Sequence, residues 1–162
     1  MAADRTAEDL RHLARAAELS RERMDANLGG PFGAVIVRDG KVLAEGWNEV
    51  TSSNDPTAHA EVVAIRRACA ALGNFSLAGA TLYSSCEPCP MCLASAYWAR
   101  ISRIVYANTR DDAAAIGFDD AFIYDEIPKA PHERALAMEH VRSAEAAEAF
   151  AAWMRKADKI TY

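Results

Sequence analysis

Apolar side chains recur along this chain at two spacings, and the spacings predict an order of helices and strands. Over residues 6–28 they fall three or four positions apart, which predicts an amphipathic helix with Thr6 and Asp9 as candidate caps. Two short apolar runs follow at 34–38 and 41–45, joined by the aspartate–glycine pair typical of a tight hairpin. The chain is therefore expected to open with a helix and an antiparallel hairpin.

The middle of the chain alternates between helical and strand-like segments. Their predicted order is a helix at 58–72, a strand at 81–84, a helix at 93–99 and a strand at 103–107. Asp55 or Thr57 is the candidate cap of the first of these helices. Because a helical crossover joins the two strands, we expect them to pair in parallel.

The last third of the chain is less regular. We predict two short helices broken by Gly117, a fifth strand at 135–141 and a final helix capped by Ser143. Five strands in one mixed sheet, with helices on both faces, make a three-layer α/β/α sandwich. A chain of 162 residues that is 51% apolar can bury one core, so a single domain over residues 1–162 is expected.

Three cysteines at three-residue intervals are the strongest chemical signal. Cys86, Cys89 and Cys92 are separated by Pro88 and Pro90, and proline suits the first turn of a helix, where backbone N–H groups lack partners. Cys89 and Cys92 then lie one turn apart on the same helix face. The positive end of the helix dipole favours the thiolate, which is the form that binds metals. This segment therefore predicts a metal site.

His59, at the start of another apolar helix, is the candidate third ligand. One nitrogen and two sulfurs leave a fourth position for water, which is typical of catalytic zinc, whereas structural zinc is normally closed by four protein ligands. Glu61 lies two residues further on, too divergent on an ideal helix to be a neighbouring ligand, yet within reach of that water. Histidine-x-glutamate followed by proline-cysteine-x-x-cysteine is the signature of zinc-dependent nucleobase deaminases.

The composition narrows the expected location and partners. Charges throughout residues 1–23 argue against a secretory signal or a membrane span there, and closely spaced free thiols favour the reducing cytoplasm. The net charge of −5 argues against a nucleic-acid partner, because nucleic-acid binding needs a basic surface. We therefore expect a cytoplasmic protein that acts on small molecules and has no membrane attachment.

Four segments, two of which contain the candidate metal ligands, carry a family resemblance. They are residues 31–34, 54–61, 85–92 and 117–120, which read PFGA, NDPTAHAE, SCEPCPMC and GFDD. Together they resemble the cytidine-deaminase-like superfamily, and within it the chain looks like the bacterial guanine deaminases. The resemblance implies a five-stranded sheet between helices, bound Zn²⁺ and a homodimer in which the C-terminal segment is exchanged between subunits.

The resemblance also implies a reaction and a set of substrate contacts. Guanine and water would give xanthine and ammonia, with Glu61 carrying protons from the water to the ring and to the departing amine. The family pattern assigns hydrogen bonding with the base to Asn48 and stacking to Phe32. It assigns contact with the purine edge and help in ammonia release to Asp120. Tyr162 is assigned the role of a lid, from its own or from the partner subunit.

Structural interpretations of the same residues stay open. Asn48 can satisfy loop backbone, Phe32 can belong to the core, and Asp120 can cap a helix. Cys86 is expected to support its loop without a metal role, and Trp98 is a further candidate to line the pocket.

Other functions also compete with guanine deamination. The substrate can be a related molecule such as guanosine, an aminotriazine or cytosine, or the chain can be a tRNA adenosine deaminase, since those enzymes look similar through residues 56–61. A non-catalytic zinc module would need Cys86 or Glu61 to close the metal shell. A ferredoxin-type iron–sulfur run would need cysteine at position 96, where this chain has alanine.

Overall fold

Two compact units make up the chain in the computed structural model, which describes residues 2–162 and the side chains from Thr6 onward. The first unit extends to Asp120 and the second comprises Ala121–Tyr162. The elements of the first are α1 (Ala2–Asp25), β1 (Gly33–Arg38), β2 (Lys41–Trp47), α2 (Val50–Ser53), α3 (Ala60–Leu72), β3 (Thr81–Cys86), α4 (Pro90–Trp98), β4 (Arg103–Asn108) and α5 (Arg110–Ala115). Those of the second are α6 (Ala121–Glu126), a 3-10 turn (Pro131–Glu133) and α7 (Ala144–Arg155).

The first unit contains one mixed sheet with the strand order β2-β1-β3-β4. β1 pairs antiparallel with β2 and β3, and β3 pairs in parallel with β4. The predicted hairpin and the predicted parallel pair across α4 are therefore confirmed. Asp39 and Gly40 form the hairpin turn with φ angles of 53° and 71°, the left-handed backbone that a type I′ turn requires.

β1 is buried on both faces and separates two apolar clusters. Ala34 and Ile36 pack into the cluster built with α3 and α4, whereas Val35 and Val37 pack against α1 on the other side. Burying each larger side chain contributes about 1.5–3 kcal/mol. The three layers expected of this α/β fold are thus present in the first unit.

Gly46 allows β2 and α3 to approach each other closely. A Cβ atom at this position would lie 2.3 Å from the carbonyl oxygen of Ala60 and 2.6 Å from the nitrogen of Ala64. Carbon atoms do not approach backbone so closely, so only glycine fits without a shift. The contact fixes the first turns of α3 against the sheet.

The fifth strand predicted at 135–141 is wrong for this chain. Among the described residues the sheet has four strands, and residues 135–141 form no helix or strand. Leu136 and Val141 are 76% and 80% exposed. The residues of this segment suit a helix as well as a strand, and a strand also needs the backbone of a neighbouring strand to bond with.

The predicted caps of the first helix are also wrong. α1 begins at Ala2, so Thr6 and Asp9 lie inside it. Asp9 instead accepts hydrogen bonds from the Tyr83 hydroxyl at 2.9 Å and from Arg103 at 2.8 Å. This carboxylate therefore attaches α1 to β3 and β4.

The second unit has helices at its two ends and irregular backbone around a short 3-10 turn between them. Ser143 caps α7 as predicted, because its hydroxyl accepts a hydrogen bond from the nitrogen of Ala146 at 3.2 Å. Gly117 precedes α6, and the two short helices predicted around it are confirmed. None of the residues of this unit is buried, and Phe150 is 80% exposed.

Among residues 2–162, none of the helices has the combination of length and apolar character that crossing a membrane requires.

Candidate metal centre and active site

Two helices of the first unit begin at candidate metal ligands. His59 precedes α3 and Cys89 precedes α4, each with extended backbone, at ψ angles of 154° and 169°. Neither side chain forms the hydrogen bond of a conventional cap. Pro90 occupies the first turn of α4, as its fixed φ angle and missing N–H predict. Both ligand side chains are therefore free to point away from their own helices.

The predicted caps of α3, Asp55 and Thr57, do not cap it. Asp55 Oδ1 instead accepts hydrogen bonds from the nitrogen and the hydroxyl of Thr57, at 2.8 and 2.6 Å. These bonds close the loop that leads into His59.

His59, Cys89 and Cys92 form a nearly equilateral triangle. The distances from His59 Nδ1 to the two sulfurs, and between the sulfurs, are all 3.6 Å. With bonds of about 2.0–2.1 Å to nitrogen and about 2.3 Å to sulfur, tetrahedral zinc would separate its ligands by about 3.6–3.8 Å. The three predicted ligands therefore have both the chemistry and the spacing that zinc needs, and they form a cluster that could hold a metal ion.

The two sulfurs of this cluster differ in how readily they lose a proton. Hydrogen bonding between Cys89 and Cys92 lowers the pKa of Cys89 to about 4 and raises that of Cys92. The hydrogen bond between His59 and Cys89 raises the pKa of the imidazole. A metal cation would compete with the Cys92 proton, because metal binding requires deprotonated ligands.

Glu61 lies beside the triangle and is buried, with 6% exposure. Its Oε1 accepts a hydrogen bond of 3.0 Å from the Ser84 hydroxyl, and its Oε2 accepts one of 3.4 Å from Cys92 Sγ. Burial raises the pKa of the Glu61 carboxyl. The carboxylate is thus held next to the three ligands without belonging to the cluster.

Ser84 is a residue of this site that the sequence reasoning missed. It is buried on β3, two residues before Cys86 and on the same side of the strand. A strand that leads directly into the cysteine segment was the available signal, since alternate residues of such a strand share one face.

Cys86 lies outside the triangle. Its sulfur is 3.5 Å from the carbonyl oxygen of Thr109, the residue that caps α5. Burial raises its pKa to about 11, so the thiol form persists at neutral pH. The contact joins the end of β3 to the start of α5, and the role of this cysteine in supporting its own loop stays a prediction.

Asn48 lies in a buried position at the end of β2. Its Oδ1 accepts hydrogen bonds from the nitrogens of Gly30 and Val50, both at 3.2 Å. The backbone nitrogen of Asn48 donates a hydrogen bond of 3.1 Å to the carbonyl oxygen of Phe32. The side-chain oxygen therefore satisfies loop backbone, which leaves the Nδ2 hydrogens as the group with which this residue can bind a base.

Phe32 packs against the core and also against Phe118. The two ring centroids are 4.9 Å apart and the rings are nearly perpendicular, at 88°. Phe118 is part of the segment GFDD, but its contact with Phe32 was not predicted. A Cβ atom added to Gly30 would lie 3.4 Å from Phe118 and 3.5 Å from Phe32, so this glycine lies against both rings.

The remaining candidates differ in their surroundings. Asp120 is partly buried, and burial together with the negative charge of Cys89 raises its pKa, whereas Asp119 is exposed. Trp98 is 62% exposed on α4. Tyr162 is 72% exposed in the second unit, so its role as a lid stays a prediction.

A comparison with known families decides the membership of this chain. Residues 6–108 match the cytidine and deoxycytidylate deaminase zinc-binding region. The chain belongs to the cytidine-deaminase-like family. The segment that matches this zinc-binding family contains the three candidate ligands and Glu61.

Within the cytidine-deaminase-like family, the chain is similar over nearly its whole length to a guanine deaminase. Guanine deaminase of Bacillus subtilis (strain 168) is 54% identical over 150 residues, which are 93% of this chain and 96% of that protein. The X-ray structure of guanine deaminase from Bacillus subtilis superposes on this chain with a TM-score of 0.91 and 53% sequence identity. The match covers 94% of this chain and 97% of that one.

Other members of this family are similar over a shorter part. The tRNA-specific adenosine deaminase of Agrobacterium fabrum is 53% identical over 86 residues, which are 53% of this chain and 57% of that protein. Similarity to the tRNA enzyme thus extends over about half of the chain.

Proposed function

We propose that this chain is a zinc enzyme that converts guanine and water into xanthine and ammonia. The observation that supports this most strongly is the triangle of His59, Cys89 and Cys92 with Glu61 beside it, in a chain 54% identical to a guanine deaminase over 93% of its length. An open three-ligand set with an adjacent carboxylate is the arrangement of a hydrolytic centre, whereas a structural zinc site would be closed.

His59, Cys89 and Cys92 would hold the zinc. Zinc bound in this way supplies a Lewis acid that brings the pKa of water close to neutrality. The three side chains would place this chemistry beside Glu61.

Glu61 would serve as the proton carrier. Its Oε1 is held by Ser84, which fixes the orientation of the group, and its Oε2 accepts a hydrogen bond from Cys92. Metal binding would remove the Cys92 proton and leave Oε2 to exchange protons with water. Glu61 would accept a proton from water and transfer it to a ring nitrogen. It would then take the remaining proton of the hydroxyl group added to the ring carbon and pass it to the departing amine, which leaves as ammonia while a carbonyl forms. The carboxylate must lie near the metal and remain unbound to it for this role.

Three other side chains would recognise the base. Asn48 Nδ2 would donate a hydrogen bond to a guanine acceptor, and Phe32 would stack on the purine ring, supported by Phe118. Asp120 would accept hydrogen bonds from the N–H groups at the reacting edge and assist the release of ammonia. A partly buried carboxylate suits this task because guanine presents donors on that edge.

We further infer a cytoplasmic homodimer of single-domain subunits, each covering residues 1–162, in which the C-terminal segment is exchanged and Tyr162 covers the site. The second unit buries none of its residues, and β4 has only β3 as a neighbour in the described sheet. A strand added beside β4 would complete a five-stranded sheet. Such a partner strand would also cover an otherwise exposed edge.

An ammonia-release assay tests the proposed function. The zinc-loaded protein is assayed with guanine, guanosine, an aminotriazine, cytosine and adenosine in tRNA. We expect the largest kcat/KM with guanine, and xanthine as the product. A larger kcat/KM with another member of the panel would show that this molecule, and not guanine, is the preferred substrate. The absence of turnover on all of them would reject the enzyme hypothesis.

Editing of tRNA is the second candidate, because a tRNA-specific relative is 53% identical over 86 residues. The net charge of −5 opposes it. Binding of tRNA at physiological salt with inosine formation would favour this candidate over guanine deamination.

A further inference from the structure

The indole ring of Trp47 lies between two arginine side chains. The guanidinium carbons of Arg23 and Arg67 are each 4.0 Å from the ring centroid. Arg23 belongs to α1 and Arg67 belongs to α3, the helix that follows His59 and includes Glu61. Each contact is short enough for a cation–π interaction. The two contacts look equivalent at the ring, but the two arginines differ in their other partners.

Arg67 also binds the chain on both sides of Asn48. Its Nη1 donates to the carbonyl oxygen of Glu45 at 3.0 Å, and its Nη2 donates to Glu49 Oε1 at 2.5 Å. Asn48 lies between Trp47, which Arg67 covers, and Glu49, which it pairs with. The guanidinium therefore holds both sequence neighbours of the residue proposed to bind the base.

A second connection links the same loop to the metal ligands. The nitrogen of Glu49 donates a hydrogen bond of 2.9 Å to the carbonyl oxygen of Ala58, the residue before His59. Arg67 thus connects α3 to Glu49, and the backbone hydrogen bond connects Glu49 to Ala58, just before His59. These two attachments therefore act together with the bonds of Asn48 to Gly30, Val50 and Phe32 in holding Asn48 relative to the triangle.

We propose that Arg67 is a positioning residue for substrate binding, which sets the Asn48 amide at a fixed distance from the metal cluster. The proposal rests on the proposed function, because Asn48 is taken to bind the base. Arg67 acts through Trp47 and Glu49 and does not need to touch the substrate itself. A base held by Asn48 would then meet Glu61 in a fixed orientation.

Arg23 is the matched control for this role. It makes the same ring contact from the opposite side, but its Nε is buried and has no hydrogen-bond partner in the described part of the chain. Arg23→Met therefore removes one cation–π contact, whereas Arg67→Met removes one such contact together with the bonds to Glu45 and Glu49. Losses of folding stability alone would affect both variants.

Kinetics separate positioning from stability. For Arg67→Met we expect kcat/KM for guanine to fall by about ten- to a hundredfold, mainly through KM, with zinc content unchanged, because small displacements of a binding group are costly. Arg23→Met should stay within about twofold of the parent. The double variant Asn48→Ala/Arg67→Met should lose no more than Asn48→Ala, since both changes then act on the same contact. Equal losses in the two arginine variants, or additive losses in the double variant, would overturn the proposal.

A second readout does not depend on turnover. The chain contains five asparagines, at positions 27, 48, 54, 74 and 108. In protein with isotope-labelled asparagines, the side-chain amide of Asn48 is identified as the NMR signal that is absent from Asn48→Asp. This signal should shift in Arg67→Met and stay in place in Arg23→Met. A shift without guanine turnover in the parent would reject the proposed function and keep the positioning role, whereas an unmoved signal would reject the positioning role. If Arg67→Met does not fold, Glu49→Gln replaces it, with the same expected direction in KM and in the amide signal.

Discussion

His59 and Glu61 reach the same site because the backbone changes conformation between them. His59 is extended, with φ −69° and ψ 154°, and Glu61 already belongs to the first turn of α3. On a regular helix two residues at this spacing would diverge by about 200° around the axis. The change of conformation lets the imidazole enter the triangle while the carboxylate lies 3.4 Å from Cys92 Sγ.

Replacing Glu61 with glutamine tests its role as the proton carrier. Glu61→Gln keeps the size of the side chain and a group that Ser84 can bind, but it cannot accept the proton. We expect kcat for deamination to fall by about a hundred- to ten-thousandfold, with zinc content and melting temperature near those of the parent. Metal analysis and ammonia release on the same preparation measure both quantities. Turnover at the parental rate would exclude Glu61 as the carrier.

Asp120 and Asp119 form a matched pair of adjacent carboxylates. Asp120 is partly buried, and burial together with the negative charge of Cys89 raises its pKa, whereas Asp119 is exposed. We expect Asp120→Asn to lower kcat/KM for guanine by about a hundredfold, because the amide would present a donor or a weaker acceptor to the base. Asp119→Asn should change it by less than about threefold. Similar values for both variants would remove Asp120 from the site.

Spacing made the metal ligands predictable, but it did not reveal their supporting residues. His59, Cys89 and Cys92 are residue types that bind metals, and their intervals indicate a shared site. Ser84 and Phe118 are common structural residues whose roles depend on which strand and which ring lie opposite them. Such roles follow only from the tertiary structure.

At the scale of elements, the contact of β2 with α3 is the most sensitive to a small change. In Gly46→Ala the added carbon would lie 2.3 Å from the Ala60 carbonyl oxygen, so β2 and α3 must separate. We expect the free energy of unfolding to fall by roughly 3 kcal/mol, as measured by urea denaturation. Zinc affinity should fall too, since the displaced helix begins beside His59.

Gly40→Ala is the control for this substitution. Gly40 has a positive φ of 71° but no atom within 4 Å of the added carbon, so only backbone strain of about 1 kcal/mol is expected. A loss in Gly46→Ala no larger than that in Gly40→Ala would contradict the close-contact explanation.

The local pattern predicted the hairpin, the parallel pair and the order of helices, because each depends on contacts near in sequence or on a short crossover. It did not predict the ends of α1 or the state of residues 135–141. Asp9, one of the residues chosen as caps of α1, bonds to Tyr83 and Arg103 instead, and an apolar segment forms a strand only where another strand accepts its hydrogen bonds. Those partners are distant in sequence, so propensity alone cannot identify them.

For the whole molecule, the exposure of large apolar side chains in the second unit is the main reason to expect assembly. Phe122, Phe150 and Met154 are 62%, 80% and 71% exposed. Exposed apolar surface of this extent is typical of an interface. Light scattering should therefore give a mass of about twice 17.6 kDa.

Tyr162 provides the test of exchange between subunits. Tyr162→Ala should lower kcat/KM for guanine by about tenfold with the dimer intact, because a removed lid admits water to the site, whereas Tyr162→Phe should retain most activity. Mixed dimers of Glu61→Gln and Tyr162→Ala subunits, purified through two different tags, should recover about half of the parental activity if the segment is exchanged. Mixed dimers that stay as inactive as either variant would show that each site uses its own C-terminus.

The missing side-chain caps of α3 and α4 affect how firmly these helices hold their first turns. Both helices begin at a ligand whose side chain makes no capping bond, and a missing cap costs a helix about 0.5–2 kcal/mol. Metal coordination would fix these two chain segments in place of a cap, so a chelator should let both first turns fray. Brief trypsin digestion should then cleave the chelated protein faster at Arg66 and Arg67, and added Zn²⁺ should restore its resistance. The survival of newly made chains in a cell would accordingly follow the zinc supply.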